Sequence, residues 1–166
     1  MKKNGMTLPE LLVALALIAV LVALTPAFTS MLDRLRLEST TRDLATAIRY
    51  ARTTAVVEQT GVTIKALEGD WGNGWVIFQD RYRSISRDNA EAILIKRKLG
   101  NRVQIKGNGS MARYIHFSAQ GFPKQKSGAF QAGSLVVCSP RIETQSSRLI
   151  LASGGRLRLS LIHISE

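Results

Sequence analysis

Residues 6–28 carry a single ionisable side chain, Glu10, and hold an almost unbroken apolar run from Leu11 to Leu24, and any fold for this chain must place that run. As an α-helix, about 23 residues at roughly 1.5 Å each span about 34 Å, enough to cross a hydrocarbon core of about 30 Å. Lys2 and Lys3 precede the run, which predicts a cytoplasmic N-terminus and a folded domain on the far side of the membrane. Two processing routes are open: a secretory signal cut after small residues near Pro26 and Ala27, or a short leader cut ahead of the run. Glu10 separates them. A carboxylate within an apolar helix costs on the order of 2.5–3.5 kcal/mol by insertion scales, so a retained one calls for a partner, whereas a discarded signal needs none.

Beyond residue 28 the helical pattern turns amphipathic. Leu37, Leu44, Ile48, Ala51 and Ala55 recur at spacings of seven, four, three and four, giving one face able to pack on a sheet. Asp33, Arg34, Arg36, Glu38, Arg42, Asp43, Arg49 and Arg52 read as a solvated face, with Glu38 placed four residues before Arg42 for local support. Pro26 lacks an amide donor and is a candidate kink, and Gly61 a candidate helix end. After Gly61 the texture changes to short β-rich runs at 62–67, 75–79, 92–96, 103–106, 114–117, 135–138, 148–152 and 156–161. Gly107-Asn108-Gly109 reads as a hairpin turn, and residues 121–133 as a mobile loop. With 166 residues there is room for one domain and an anchor. The expected fold class is therefore α+β: a long N-terminal helix, part membrane and part amphipathic, packed on a small antiparallel β-sandwich of about eight strands.

The formal charge is +11, and losing Lys2 and Lys3 with a leader would still leave +9. Such an excess favours polyanionic partners, with solubility as the plainer reading. Cys138 is the single cysteine, so no intramolecular disulfide can form; it follows Val136 and Val137 and is expected to be a small buried side chain. No nucleophile elbow, zinc-protease helix or phosphate-cradling glycine loop is present, so no catalytic residue, metal site or cofactor is assigned. His116 alternates with Ile115 and Phe117 and reads as a satisfied strand histidine; Asp70, Asp80 and Asp88 lack calcium-loop spacing.

The segment Gly5-Met6-Thr7-Leu8-Pro9-Glu10-Leu11-Leu12 resembles the prepilin signature, in which a peptidase cuts after glycine and methylates the new N-terminus. That resemblance implies cleavage after Gly5, N-methylation of Met6 and an assembly role for Glu10, paired with the N-terminal amine of a neighbouring subunit. Met6 departs from the commoner Phe. The stretch from Asp43 to Val56, with its Ala51-Arg52 step, is similar to the helix that precedes the sheet in GspH/FimT-type proteins. Trp71, Gly74, Trp75, Val76, Phe78 and Asp80 match that family's Trp-x-x-Gly-Trp-x-Val-Phe-x-Asp strand, and Phe117, Gly121 and Phe122 resemble a later one. Read from the residues alone, both tryptophans are packing groups. Thr54 departs from a Glu common in the family, and the family's cysteine pair is absent, since Cys138 has only the later position. The implied boundaries are a leader at 1–5, a membrane and assembly helix at 6–28, an amphipathic helix at 29–60 and a β domain at 61–158. The implied partners are prepilin peptidase, other pilins or pseudopilins and the bacterial inner membrane, with the globular domain periplasmic.

Gly155-Arg156-Leu157-Arg158 matches the Gly-Arg-x-Arg element associated with DNA binding in FimT-like proteins. If extended, it sets two guanidiniums on one strand face roughly 6.6 Å apart, near two axial phosphate steps of about 3.4 Å. Arginine's planar fork suits phosphate oxygens, and Gly154 and Gly155 permit close backbone approach. The competing reading is an edge strand with Leu157 and Leu159 inward and arginines outward against aggregation. Arg148, Arg141, Lys124 and Lys126 are candidates to widen a DNA-binding patch, whereas Lys96, Arg97 and Lys98 read as a solvated strand end. Two functions follow from the resemblance: a FimT-like minor pilin that binds DNA non-specifically in natural transformation, or a GspH-like minor pseudopilin at the tip of a type II secretion filament. Residues 159–166 (LSLIHISE) resemble the translation of a transposon-based sequencing adapter and are expected to be an artefact of the reading frame.

Overall fold

A computed structural model of the chain describes residues 8–81, 92–100, 103–140 and 142–163. One helix, α1 (Leu8–Val57), is followed by nine strands among the described residues: β1 (Val62–Ala66), β2 (Gly74–Gln79), β3 (Ile93–Lys98), β4 (Gln104–Gly107), β5 (Tyr114–Phe117), β6 (Pro123–Lys124), β7 (Gly133–Ser139), β8 (Ile142–Leu151) and β9 (Leu157–His163). They form a five-stranded sheet in the order β3-β2-β1-β5-β6 and a four-stranded sheet in the order β4-β7-β8-β9. All pairings are antiparallel. The α+β expectation is met, with α1 packed on both sheets.

The two halves of α1 differ in what surrounds them. Leu11, Leu12, Val13, Leu15, Leu17, Ile18, Val20 and Leu21 are exposed, and an 18-residue window of mean hydropathy 2.7 has none of its length buried. That stretch has the length and composition to cross a membrane. Further along, Leu37, Leu44, Ile48, Ala51 and Ala55 are all buried, as their spacing predicts. Alanines at 45, 47, 51 and 55 let strand side chains approach the helix axis closely. Asp33 does not belong to the solvated face: it is buried, with the Arg36 guanidinium 3.1 Å away. Glu38 and Arg42 do pair at the surface.

The helix runs on through position 26, so Pro26 does not end it. Nor does Gly61. Regular structure stops at Val57, the left-handed residue is Gln59 (φ 51°), and the Thr60 N–H donates to the Ala55 carbonyl. Gly61 has a different task, because a Cβ there would meet the Asp80 carbonyl oxygen at 2.4 Å and His116 Cε1 at 2.9 Å.

Trp71, Trp75, Ile64, Ile77, Ile115, Phe117, Met111, Leu135, Val137 and Leu149 fill the space between α1 and the sheets. Trp71 also satisfies its indole, donating from Nε1 to the Met111 carbonyl at 3.0 Å. Three expectations are corrected. Gly107-Asn108-Gly109 is not a hairpin, since β4 pairs with β7 and β5 with β1, and the segment crosses between sheets. Residues 121–133 form a hydrogen-bonded structure that includes β6 and hinges on Gln131. Fully buried, Gln131 accepts from the His116 N–H and donates to the Ser110 and Tyr114 carbonyls. Cys138 is half-buried and lies on the opposite face of β7 from Val137.

Candidate nucleic-acid interface and assembly helix

Strand register decides which cations share a surface. In the four-stranded sheet Lys106 lies opposite Val136, Val136 opposite Arg148, and Arg148 opposite Ser160, two residues from Arg158. Directly opposed residues point to the same face, so Lys106, Arg148 and Arg158 lie together on the outer face. All three are exposed, while Ile105, Val137 and Leu149 on the alternating positions are buried. Strand spacing puts Lys106 about 10 Å from Arg148 at the backbone, and Arg148 roughly 8 Å from Arg158. Arg156 is exposed just ahead of β9, its carbonyl accepting from the Ala152 N–H at 3.0 Å. Leu157 is half-buried as the edge-strand reading requires, but Leu159 is 46% exposed although it lies opposite the buried Leu149.

The glycine ahead of Arg156 does not offer open backbone. Gly155 is buried at φ 79°, and a Cβ there would meet the Gly121 carbonyl oxygen at 2.6 Å and Arg52 Nε at 2.8 Å. Gly154 is the glycine with open space around it. Arg52 joins the two turns, donating from Nε to the Gly121 carbonyl (3.1 Å) and from a terminal nitrogen to the Gly154 carbonyl (3.2 Å). Sequence reading placed Arg52 on a solvated face; the signal that marked it was the Ala51-Arg52 step itself.

Lys124 and Lys126 belong to the other sheet's edge, in and just after β6. The Lys124 ammonium lies 3.5 Å from the centre of the Phe130 ring, and the Lys126 N–H donates to the Tyr114 hydroxyl. Contact between the Gly121 and Gly155 turns brings this edge beside the Arg156 turn. Lys96, Arg97 and Lys98 lie on β3, and Arg97 pairs with Asp43 at 2.8 Å. Arg141, Gly5 and Met6 lie outside the described residues. Glu10 is exposed in the first turn of α1.

A buried polar cluster was not foreseen as a unit. Thr63 Oγ1 is 2.8 Å from both Asp80 Oδ2 and His116 Nδ1, and all three residues are buried. The Thr63 hydroxyl donates to Asp80, which leaves its oxygen to accept from a His116 Nδ1–H, and the same imidazole nitrogen lies 3.5 Å from Asp80 Oδ2. The cluster ties β1 to β5 and to the end of β2, closed off from solvent. Among the described residues no group of three or more His, Cys, Asp or Glu side chains is placed to hold a metal ion.

An exposed apolar helix continuing into a helix-on-two-sheets head is a pilin-like architecture. Residues 1–25 match the prokaryotic N-terminal methylation motif, which implies processing by prepilin peptidase and assembly with other pilins. The model of the family described as Type II transport protein GspH matches residues 40–155, and the chain belongs to that family. Crystal structures of the type IV minor pilin FimU of Pseudomonas aeruginosa in space groups P21 and P65 share the fold, with TM-scores of 0.63 and 0.60 at 24% identity. The matches cover 76% and 74% of this chain and 90% and 91% of the FimU chains. No curated protein matches the chain in sequence. Family and methylation motif together make it a pilin- or pseudopilin-like subunit.

Proposed function

We propose that this chain is a FimT-like minor pilin that binds DNA without sequence preference for uptake in natural transformation. The observation that carries the reading is the cation set on the outer face of the four-stranded sheet, Lys106, Arg148 and Arg158, with Arg156 at its margin. Exposed cations about 7–10 Å apart at the backbone suit a phosphate backbone, and their binding releases counterions. Processing follows the motif: cleavage after Gly5, methylation of Met6, and Glu10 paired with a neighbour's amine inside the apolar bundle, which offsets the cost of both charges. Before the leader is cut, Lys2 and Lys3 hold the N-terminus on the cytoplasmic side during insertion, leaving the β domain on the periplasmic side of the inner membrane. The second reading, a structural pseudopilin of type II secretion, is favoured by the family's own description.

Full chain in detergent, titrated with labelled duplex DNA across a salt series, tests the choice. The Arg156→Ala, Arg158→Ala double variant loses two phosphate contacts, which flattens the log-log salt slope by about 1.8. Wild-type chain that stays folded yet binds no duplex at low salt would favour the secretion subunit.

A further inference from the structure

Four phenylalanines lie beyond the apolar segment, and they divide sharply. Phe78 and Phe117 are fully buried, whereas Phe122 and Phe130, in the β5–β7 connection, are 42% and 57% exposed. Leaving such a ring in water forfeits about 1.5–3 kcal/mol relative to burying it. The two rings meet edge to face with centroids 6.2 Å apart. Lys124 lies over Phe130, and Lys126 is exposed two residues on. The pair also adjoins the arginine turn. Gly121 and Gly155 are in backbone contact, and from that contact the Cα atoms of Phe122 and Arg156 are no more than about 11 Å apart. An aromatic pair rimmed by lysines and set beside arginines carries both elements of single-strand recognition: ring faces for bases and cations for the backbone. An apolar protein partner would be poorly served by so many cations in a chain of charge +11.

We propose that Phe122 and Phe130 form a stacking platform for unpaired bases, so that the chain takes single-stranded DNA in preference to duplex. The inference rests on the DNA-binding reading and names its substrate class. Lys124 marks a usable face of Phe130: a base stacking there displaces the ammonium, which then meets the phosphate of the same nucleotide. Duplex DNA hides its base faces and engages only the cations.

The test uses full chain in detergent with two probes, a labelled oligothymidylate and a duplex of the same length. Wild type is expected to bind the single strand more tightly. Phe122→Leu, Phe130→Leu keeps apolar bulk but removes the ring faces. It should weaken single-strand binding about fivefold or more for each stack lost while leaving duplex binding unchanged. Phe122→Tyr, Phe130→Tyr should restore it. Unchanged duplex affinity in the leucine variant shows that it is folded. Duplex binding by wild type with full single-strand affinity in the leucine variant overturns the platform alone and leaves these rings as a contact for a protein subunit. Wild type that binds neither probe removes the DNA reading and the platform with it.

Discussion

Thr63 has one hydroxyl proton and two buried partners, Asp80 Oδ2 and His116 Nδ1, each 2.8 Å away. Replacing it with valine keeps the shape and β-branching but removes a hydrogen bond from each partner. His116 Nδ1 and Asp80 Oδ2 still lie 3.5 Å apart, and losing the buried hydrogen bonds from Thr63 costs about 1–3 kcal/mol. At this chain length each kcal/mol lowers the melting temperature by about 2–4 °C, so Thr63→Val should melt several degrees below wild type in a thermal scan; an unchanged midpoint would show that the cluster contributes nothing. Single residues were legible unevenly. His116 as a satisfied strand histidine followed from alternation with Ile115 and Phe117, and both tryptophans proved to be core. Asp80 was visible only as the end of a motif, because its partner is set by β1–β2 register and not by anything local. Asp33 was misread for the same reason: its burial depends on what packs over it.

Periodicity carried the elements well. The buried stripe Leu37, Leu44, Ile48, Ala51 and Ala55 and all eight predicted β runs correspond to α1 and to strands, because side-chain alternation is a local property. Connections were less legible. Gly107-Asn108-Gly109 has hairpin chemistry, yet the strands it joins lie in different sheets, which only tertiary packing decides. β6, two residues long, has too little pattern to announce itself. The turn at Gly155 was legible as a special position but not for its actual reason, the Gly121 carbonyl pressed against it. Gly155→Ala forces a left-handed φ on alanine and a 2.6 Å contact with backbone. It should cost more than about 1 kcal/mol of stability and shift the Arg156 turn. Arg52→Ala removes only two partly exposed hydrogen bonds, so it should lower duplex affinity with little change in melting. Equal affinity in both variants and wild type would show that coupling of these turns does not set the cation geometry.

At the scale of the molecule, the charge is spread over two sheets whose cations are not equivalent. Arg97 on β3 is engaged by Asp43, while Lys96 and Lys98 alternate with it along an exposed edge strand, where lysine guards against pairing with other chains. Lys106 and Arg148 face the same way as Arg158 on the four-stranded sheet, and only cations that can reach one DNA backbone together release counterions in one binding event. Composition alone reported the excess of +11; the split between faces needed the strand register, since it is the pairing of β4, β7, β8 and β9 that collects these residues. Two variants of equal net charge therefore separate a local interface from general attraction. Lys106→Ala, Arg148→Ala should flatten the duplex salt slope by about 1.8, whereas Lys96→Ala, Lys98→Ala should leave it unchanged in the same salt-series titration with labelled duplex. If both pairs flatten the slope equally, binding follows net charge and the outer face of the four-stranded sheet has no special part in it.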